Sequence, residues 1–220
     1  MTSTIRFILI ASTLVSWLAV APTSAFAEWM ADIYLGGAWT QRHDVTLSDG
    51  SGDVNNVEFN KSSVFGGRIG YYFDSLKILG VAFDVSHFRP DTVPGGLHRL
   101  DLYMSPMSID LMLRWPLLVT DEIPHGRLQP YLAVGPAVAL AEAKDTTNFS
   151  PPNQYESNFP IGVQAGAGLA WQIQTHVALF TEFRYTHFTP EFTFKNVPET
   201  TKLKTDLNTG YVIGGFSLRF

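Results

Sequence analysis

The sequence predicts an all-β fold, an eight-stranded antiparallel up-and-down β-barrel that crosses a membrane, and three observations carry that expectation. Eight segments alternate apolar and polar residues with a period of two, the mark of a strand whose two faces meet unlike surroundings. Beyond residue 27 no apolar run approaches the length of a spanning helix, so a membrane-spanning mature chain must satisfy its backbone between strands. The links between the segments alternate in length, as the two ends of a transmembrane barrel do.

Composition sets the outer limits. A chain of 220 residues with 45% hydrophobic and 16% charged content is one domain's worth of material and carries less charge than an ordinary soluble domain. Low charge with 13% aromatic residues and 18 glycines argues against disorder and for a β-structure with much of its outer face away from water. There is no cysteine, so neither a disulfide framework nor a thiolate metal site is expected. A net charge of -5 without any run of lysine or arginine excludes nucleic acid as a partner class.

The elements follow in order. Residues 1–27 read as an export signal: Arg6 supplies the positive start, Phe7 to Val20 the apolar stretch, and Pro22 breaks a helix before Ala25-Phe26-Ala27. The small-residue pattern places cleavage between Ala27 and Glu28, and the apolar stretch falls short of the about 20 residues that a membrane anchor requires. The mature domain is then 28–220. Its strands are expected near 29–41, 62–73, 78–88, 101–115, 128–141, 160–172, 176–188 and 207–220, each long enough for a tilted crossing of about 9 to 11 residues. The first, third, fifth and seventh links (42–61, 89–100, 142–159 and 189–206) are generally longer than the turns at 74–77 and 173–175. The link 116–127, with Pro116, Pro124 and Gly126, departs from that rule and reads as a structured turn.

Each strand has an oily face, for example Ile33, Leu35 and Trp39, or Ile109, Leu111 and Leu113. The complementary face collects Asp32, Arg68, Asp84, Asp110, Arg114, Glu182, Arg184 and Arg219. In a lumen that side chains just fill, such charges are tolerable only when paired and hydrogen-bonded. Small residues of the same face, among them Gly66, Gly135, Gly166 and Gly168, leave room for the long ones.

The closing stretch LNTGYVIGGFSLRF puts Val212, Phe216, Leu218 and Phe220 on one face and Tyr211, Ile213, Ser217 and Arg219 on the other. It resembles the closing strand of bacterial outer-membrane β-barrels. With GGRIGYYFD, LQPYLAVGPAVAL and FTEFRYTHF, it makes the mature chain similar to the small single-domain barrels of the OmpA/OmpX type. That resemblance implies the outer membrane of a Gram-negative bacterium, with its lipid and lipopolysaccharide as surroundings. It also implies recognition of Phe216, Leu218 and Phe220 by the barrel-assembly machinery during biogenesis. No peptidoglycan-binding half is expected after Phe220.

Several rival readings attach to particular residues. Period-two alternation does not say which face points inward, so a soluble lipocalin-like barrel is the physical alternative, and Gly37-Ala38-Trp39 fits the short G-x-W element of that family. A lipid-modifying barrel enzyme would need a base and a nucleophile at the rim. Ser86 and His87 are chain neighbours in a strand and point to opposite faces, His187 is read with His87 as interfacial, and no catalytic residue is assigned. His43, His98 and His125 lack zinc-site spacing, so no metal or cofactor is expected. Glu182 with Arg184, or Asp110 with Arg114, could line a narrow porin-like channel for small solutes; for eight strands a salt-bridge network that fills the interior is the expected reading. Trp39, Trp115, Trp171, Tyr71, Phe73 and Phe220 are read as interface anchors. The function expected is therefore non-enzymatic, a structural or surface-interaction role exercised by the extracellular loops on an extracellular ligand.

Overall fold

The computed structural model describes residues 28–41, 43–47, 54–91, 100–145, 154–196 and 199–220, so the signal segment ending at Ala27 lies outside the described residues, as does His98. In order, the strands are β1 (Glu28–Thr40), β2 (His43–Leu47), β3 (Val54–Val57), β4 (Ser62–Tyr72), β5 (Leu79–Phe88), β6 (Leu100–Arg114) and β7 (Leu128–Asp145). They continue with β8 (Tyr155–Asn158), β9 (Ile161–Gln174), β10 (Val177–Phe188), β11 (Glu191–Asn196), β12 (Glu199–Thr205) and β13 (Leu207–Arg219).

Eight of these, in the order β6-β5-β4-β1-β13-β10-β9-β7, form one antiparallel sheet that closes on itself through β6 and β7. They are the eight segments read from the alternation. The closing strand pairs on both sides, with Ile33 opposite Phe216 on β1 and Phe183 opposite Val212 on β10. Full closure removes the free edges that an open sheet would present.

The period of two decides the two surfaces. Ile33, Leu35, Phe65, Ile69, Ile109, Val134, Phe183 and Phe216 are all exposed on the outside, a continuous apolar band that water would penalise and a bilayer core accepts. Leu218 and Phe220 belong to the same band. This orientation excludes the lipocalin alternative, in which the oily set would line the cavity. Aromatic residues gather at the end carrying Glu28 and Phe220, where Trp29 lies 5.1 Å from Tyr71, and Tyr71 5.7 Å from Phe73. Trp39 marks the other end, 5.9 Å from Phe183. Its indole lies over β13 at Gly210, where a Cβ would stand only 2.6 Å from the ring.

Three links differ from their reading as loops. The 42–61 link carries β2 and β3, and the 189–206 link carries β11 and β12; these four pair as a second sheet, β11-β12-β2-β3. In the 142–159 link, β7 runs on to Asp145 and pairs with β8. The reason is visible in β11 and β12, where Phe192, Phe194 and Leu203 are buried while Glu191, Thr193, Lys202 and Lys204 are exposed. The buried set packs into the same core as Phe88, Leu102, Met104, Phe188 and Leu207 at that end of the barrel.

Candidate functional site

The interior of the barrel has three levels, because side chains of like parity on eight strands meet at matching registers. Nearest the long links the lining is apolar: Val64, Phe88, Leu102, Met104, Phe188 and Leu207 face the small wall of Ala139, Ala141 and Ala143. Polar groups are sparse here. They include the Thr40–Thr209 pair at 2.9 Å and Thr186 with the Tyr211 hydroxyl at 2.9 Å.

At mid-height two arginines and three acids cross the lumen. Arg184 on β10 and Asp84 on β5 stand on opposite walls of the closed sheet. Their side chains meet nonetheless in a bidentate pair, Nη1 to Oδ1 and Nη2 to Oδ2, both at 2.9 Å. Arg184 also donates through Nε to Glu182 at 2.8 Å. Arg68 donates to Asp32 at 2.9 Å and to Glu182 at 2.8 Å. Two tyrosines complete the network: Tyr34 donates to Asp84 at 2.7 Å and Tyr131 to Glu182 at 2.7 Å. Planar guanidinium forks suit this geometry, and every charge has an opposite within hydrogen-bonding reach. Gly166 and Gly168 make the room, since a Cβ on Gly166 would stand 3.0 Å from the Glu182 carboxylate.

Among the described residues Asp110 is hydrogen-bonded to no base. Its Oδ2 accepts from Ser108 at 3.1 Å and from Gln164 at 2.8 Å. Asp110 and Arg114 therefore do not form the constriction considered from spacing; Arg114 instead bonds Glu28, and through Nε the Lys77 carbonyl at 2.9 Å.

The third level lies at the end of the termini. Here Glu28, Arg114 and Arg219 are all buried, with Arg219 Nη1 3.5 Å from Glu28 Oε1 and His125 Nδ1 3.6 Å from Glu28 Oε2. Gln129 donates to Gln172 at 3.2 Å and to the Gly126 carbonyl at 2.8 Å. The 116–127 link folds beneath this level. Leu117 bridges to Leu128, Gly126 adopts a φ of 84°, and Ile123 is buried against the barrel end. Burial lowers the His125 pKa below the ordinary histidine range, against the opposing pull of Glu28.

Residues 11–220 match the family model described as outer membrane protein beta-barrel domain. The chain belongs to that family. As a member of the outer membrane β-barrel family it resides in the bacterial outer membrane, with the short-link end periplasmic and the long-link end extracellular. No curated protein sequence matches it.

Among solved structures, OprG from Pseudomonas aeruginosa is similar at 13% identity and a TM-score of 0.63, over 88% of this chain and 96% of that one. The outer membrane protein AlkL, solved in lipid bilayers, is 18% identical with a TM-score of 0.60, over 92% and 94% of the two chains. Neisserial surface protein A gives 14% identity and a TM-score of 0.51, over 88% and 99%. At these identities the likeness is one of fold.

All eight charges read from the inward face are buried, and five of them, Asp32, Arg68, Asp84, Glu182 and Arg184, meet in one network. Arg114 and Arg219 gather at the periplasmic end and Asp110 stands apart. The sequence reading missed Glu28 as an interior acid, since its place beside the cleavage pattern drew it into the signal boundary. Its parity with Asp32 was the available clue. Tyr34 and Tyr131 were missed for want of charge. His87, on the outside, meets not Ser86 but the cross-strand Ser105 hydroxyl at 2.9 Å, while His187 meets Asn208 at 2.6 Å. Among the described residues no cluster of three metal-ligating acids or histidines occurs.

Proposed function

We propose that the protein is a non-enzymatic, non-conducting outer membrane barrel that presents a rigid extracellular sheet for surface interaction. The observation that carries this reading is the Arg184–Asp84 pair, which joins opposite walls at mid-height. It stands among further charged and tyrosine side chains where an eight-stranded lumen has little room to spare. The outward sheet β11-β12-β2-β3 supports the second half. In β11 and β12, Phe192, Phe194 and Leu203 are committed to the core while Glu191, Thr193, Lys202 and Lys204 stay exposed for a partner, and loops held by a rigid scaffold are where recognition concentrates.

On this reading lipopolysaccharide surrounds the outer rim. Phe216, Leu218 and Phe220 present the outward face read by the assembly machinery. The outward His87–Ser105 contact is a cross-strand pair at the lipid interface rather than a base and nucleophile.

The test is conductance of the mature protein in planar bilayers, after a gel-mobility shift on boiling has verified the folded barrel. Silence is expected. Discrete ohmic steps that survive in the wild type would put the narrow channel first. Lipid ester hydrolysis by wild type but not by His87→Ala would put the enzyme first.

A further inference from the structure

A cleft at the periplasmic end opens between the 116–127 link and the turn before β10, with a volume of about 170 Å³. That is far more than the about 10–15 Å³ that one water requires. It is lined by Glu122, His125, Thr175, His176, Arg219 and Phe220, with Glu28 at its inner wall. A second cleft of about 380 Å³ adjoins it through Glu122 and His176 and extends to Arg127.

The polar groups of the inner wall are under-satisfied. Arg219 is only 5% exposed, yet its Nε and Nη1 make no hydrogen bond among the described residues. The facing Glu28 Oε1 and the His125 Nδ1 make none either. Glu28 must answer two buried arginines, and its Oε2 is already engaged by Arg114. The next acid inward, Asp32, is held by Arg68 through Oδ2. Buried donors left without an acceptor cost free energy that an acceptor group in the cleft would recover.

We propose that this cleft is a binding site for a small oxyanion, a carboxylate or phosphate group, held by the Arg219 guanidinium at the periplasmic mouth of the barrel. A guanidinium is the side chain best shaped for such groups. His176, which also lines the cleft, has its Nδ1 turned to the Arg219 backbone carbonyl at 2.9 Å. His125 lies on the ligand's side of the cleft and is kept from charging by burial and by the nearby Arg114, Lys77 and Arg219, with only Glu28 favouring its charged form. Glu122, at the junction of the two clefts, opposes an anion and sets an upper limit on affinity. The site is independent of the extracellular sheet and of whether the lumen conducts.

The experiment is an NMR titration of the mature barrel in nanodiscs, following the Arg219 side-chain Nε–H signal. Sodium phosphate and sodium acetate are compared with sodium chloride at equal ionic strength. A saturable shift with phosphate or acetate, but not chloride, is expected, and the tighter of the two identifies the source chemistry. Arg219→Gln should abolish saturation of the neighbouring backbone signals, and Arg219→Lys should weaken binding by about tenfold. If Arg219→Gln does not assemble, Glu122→Gln decides the matter, since removing the opposing charge should tighten binding severalfold in an intact barrel. Equal shifts with chloride, or an affinity indifferent to Glu122→Gln, would overturn the proposal.

Discussion

Removing Glu182 should destabilise the barrel more than removing Asp32. Its Oε2 accepts from Arg68 at 2.8 Å and from Tyr131 at 2.7 Å, and its Oε1 from Arg184 at 2.8 Å. In Glu182→Ala both arginines keep one carboxylate, Asp32 for Arg68 and Asp84 for Arg184, so neither is left wholly unpaired. Two charge-assisted bonds and one tyrosine bond are nevertheless lost inside a dry lumen. Charge-assisted bonds contribute about 1.5–3 kcal/mol each, and breaking a buried pair by removing one partner costs about 3–5 kcal/mol. A loss of about 4 kcal/mol is therefore expected. Among the described residues Asp32 accepts one side-chain hydrogen bond, from Arg68 Nε at 2.9 Å, and its Oδ1 accepts none. Asp32→Ala should cost only about 1.5–3 kcal/mol. The assay is reversible urea unfolding in lipid vesicles, read by tryptophan fluorescence with gel mobility as the second probe. Equal losses for the two variants would refute the reasoning, because they would mean that connectivity does not set the energetics.

Other perturbations read other parts of the molecule. Phe192→Ala and Phe194→Ala should each remove about 3–5 kcal/mol of packing from the extracellular sheet, making 189–206 protease-sensitive on whole cells while the boiling shift persists. Retained resistance would show that the sheet does not depend on the shared core. Gly210→Ala should drive the Trp39 indole off β13, at a cost of about 1–3 kcal/mol, and red-shift its emission; an unchanged spectrum would deny the close approach. Because burial lowers the His125 pKa, the unfolded chain binds the proton more readily than the folded one. Stability should thus fall as pH drops below the ordinary histidine value of about 6.5. His125→Gln should flatten that slope, measured as urea midpoints from pH 7.5 downward, and an identical slope in the variant would exclude His125 as its source.

The barrel was legible because a membrane on one side and a filled lumen on the other impose the same period on every strand. Ile33 beside Asp32 and Phe183 beside Glu182 repeat one rule, and only closure puts eight such faces to use. What alternation does not carry is distance across the lumen. Asp110 and Arg114 share a strand and a face, and on the sequence the two could line one constriction. In the closed barrel Arg114 stands at the level of Glu28 on β1, while Asp110 points to Gln164 on β9. Such partners are set by shear between strands far apart in sequence, which no local window contains. The outward links were misread for a related reason. Phe192 and Phe194 alternate with Glu191 and Thr193 over a stretch too short to cross a bilayer, and strand assignment by membrane-crossing length discards such segments. Their apolar face has a destination only because the barrel below is lined with Phe88, Leu102 and Phe188 at its extracellular end. A charged lining there would have left 189–206 without a core to pack on. The apolar upper lumen and the extracellular sheet are thus one structural decision, and a polar substitution at Phe88 should loosen the sheet although it changes no residue of the 189–206 link.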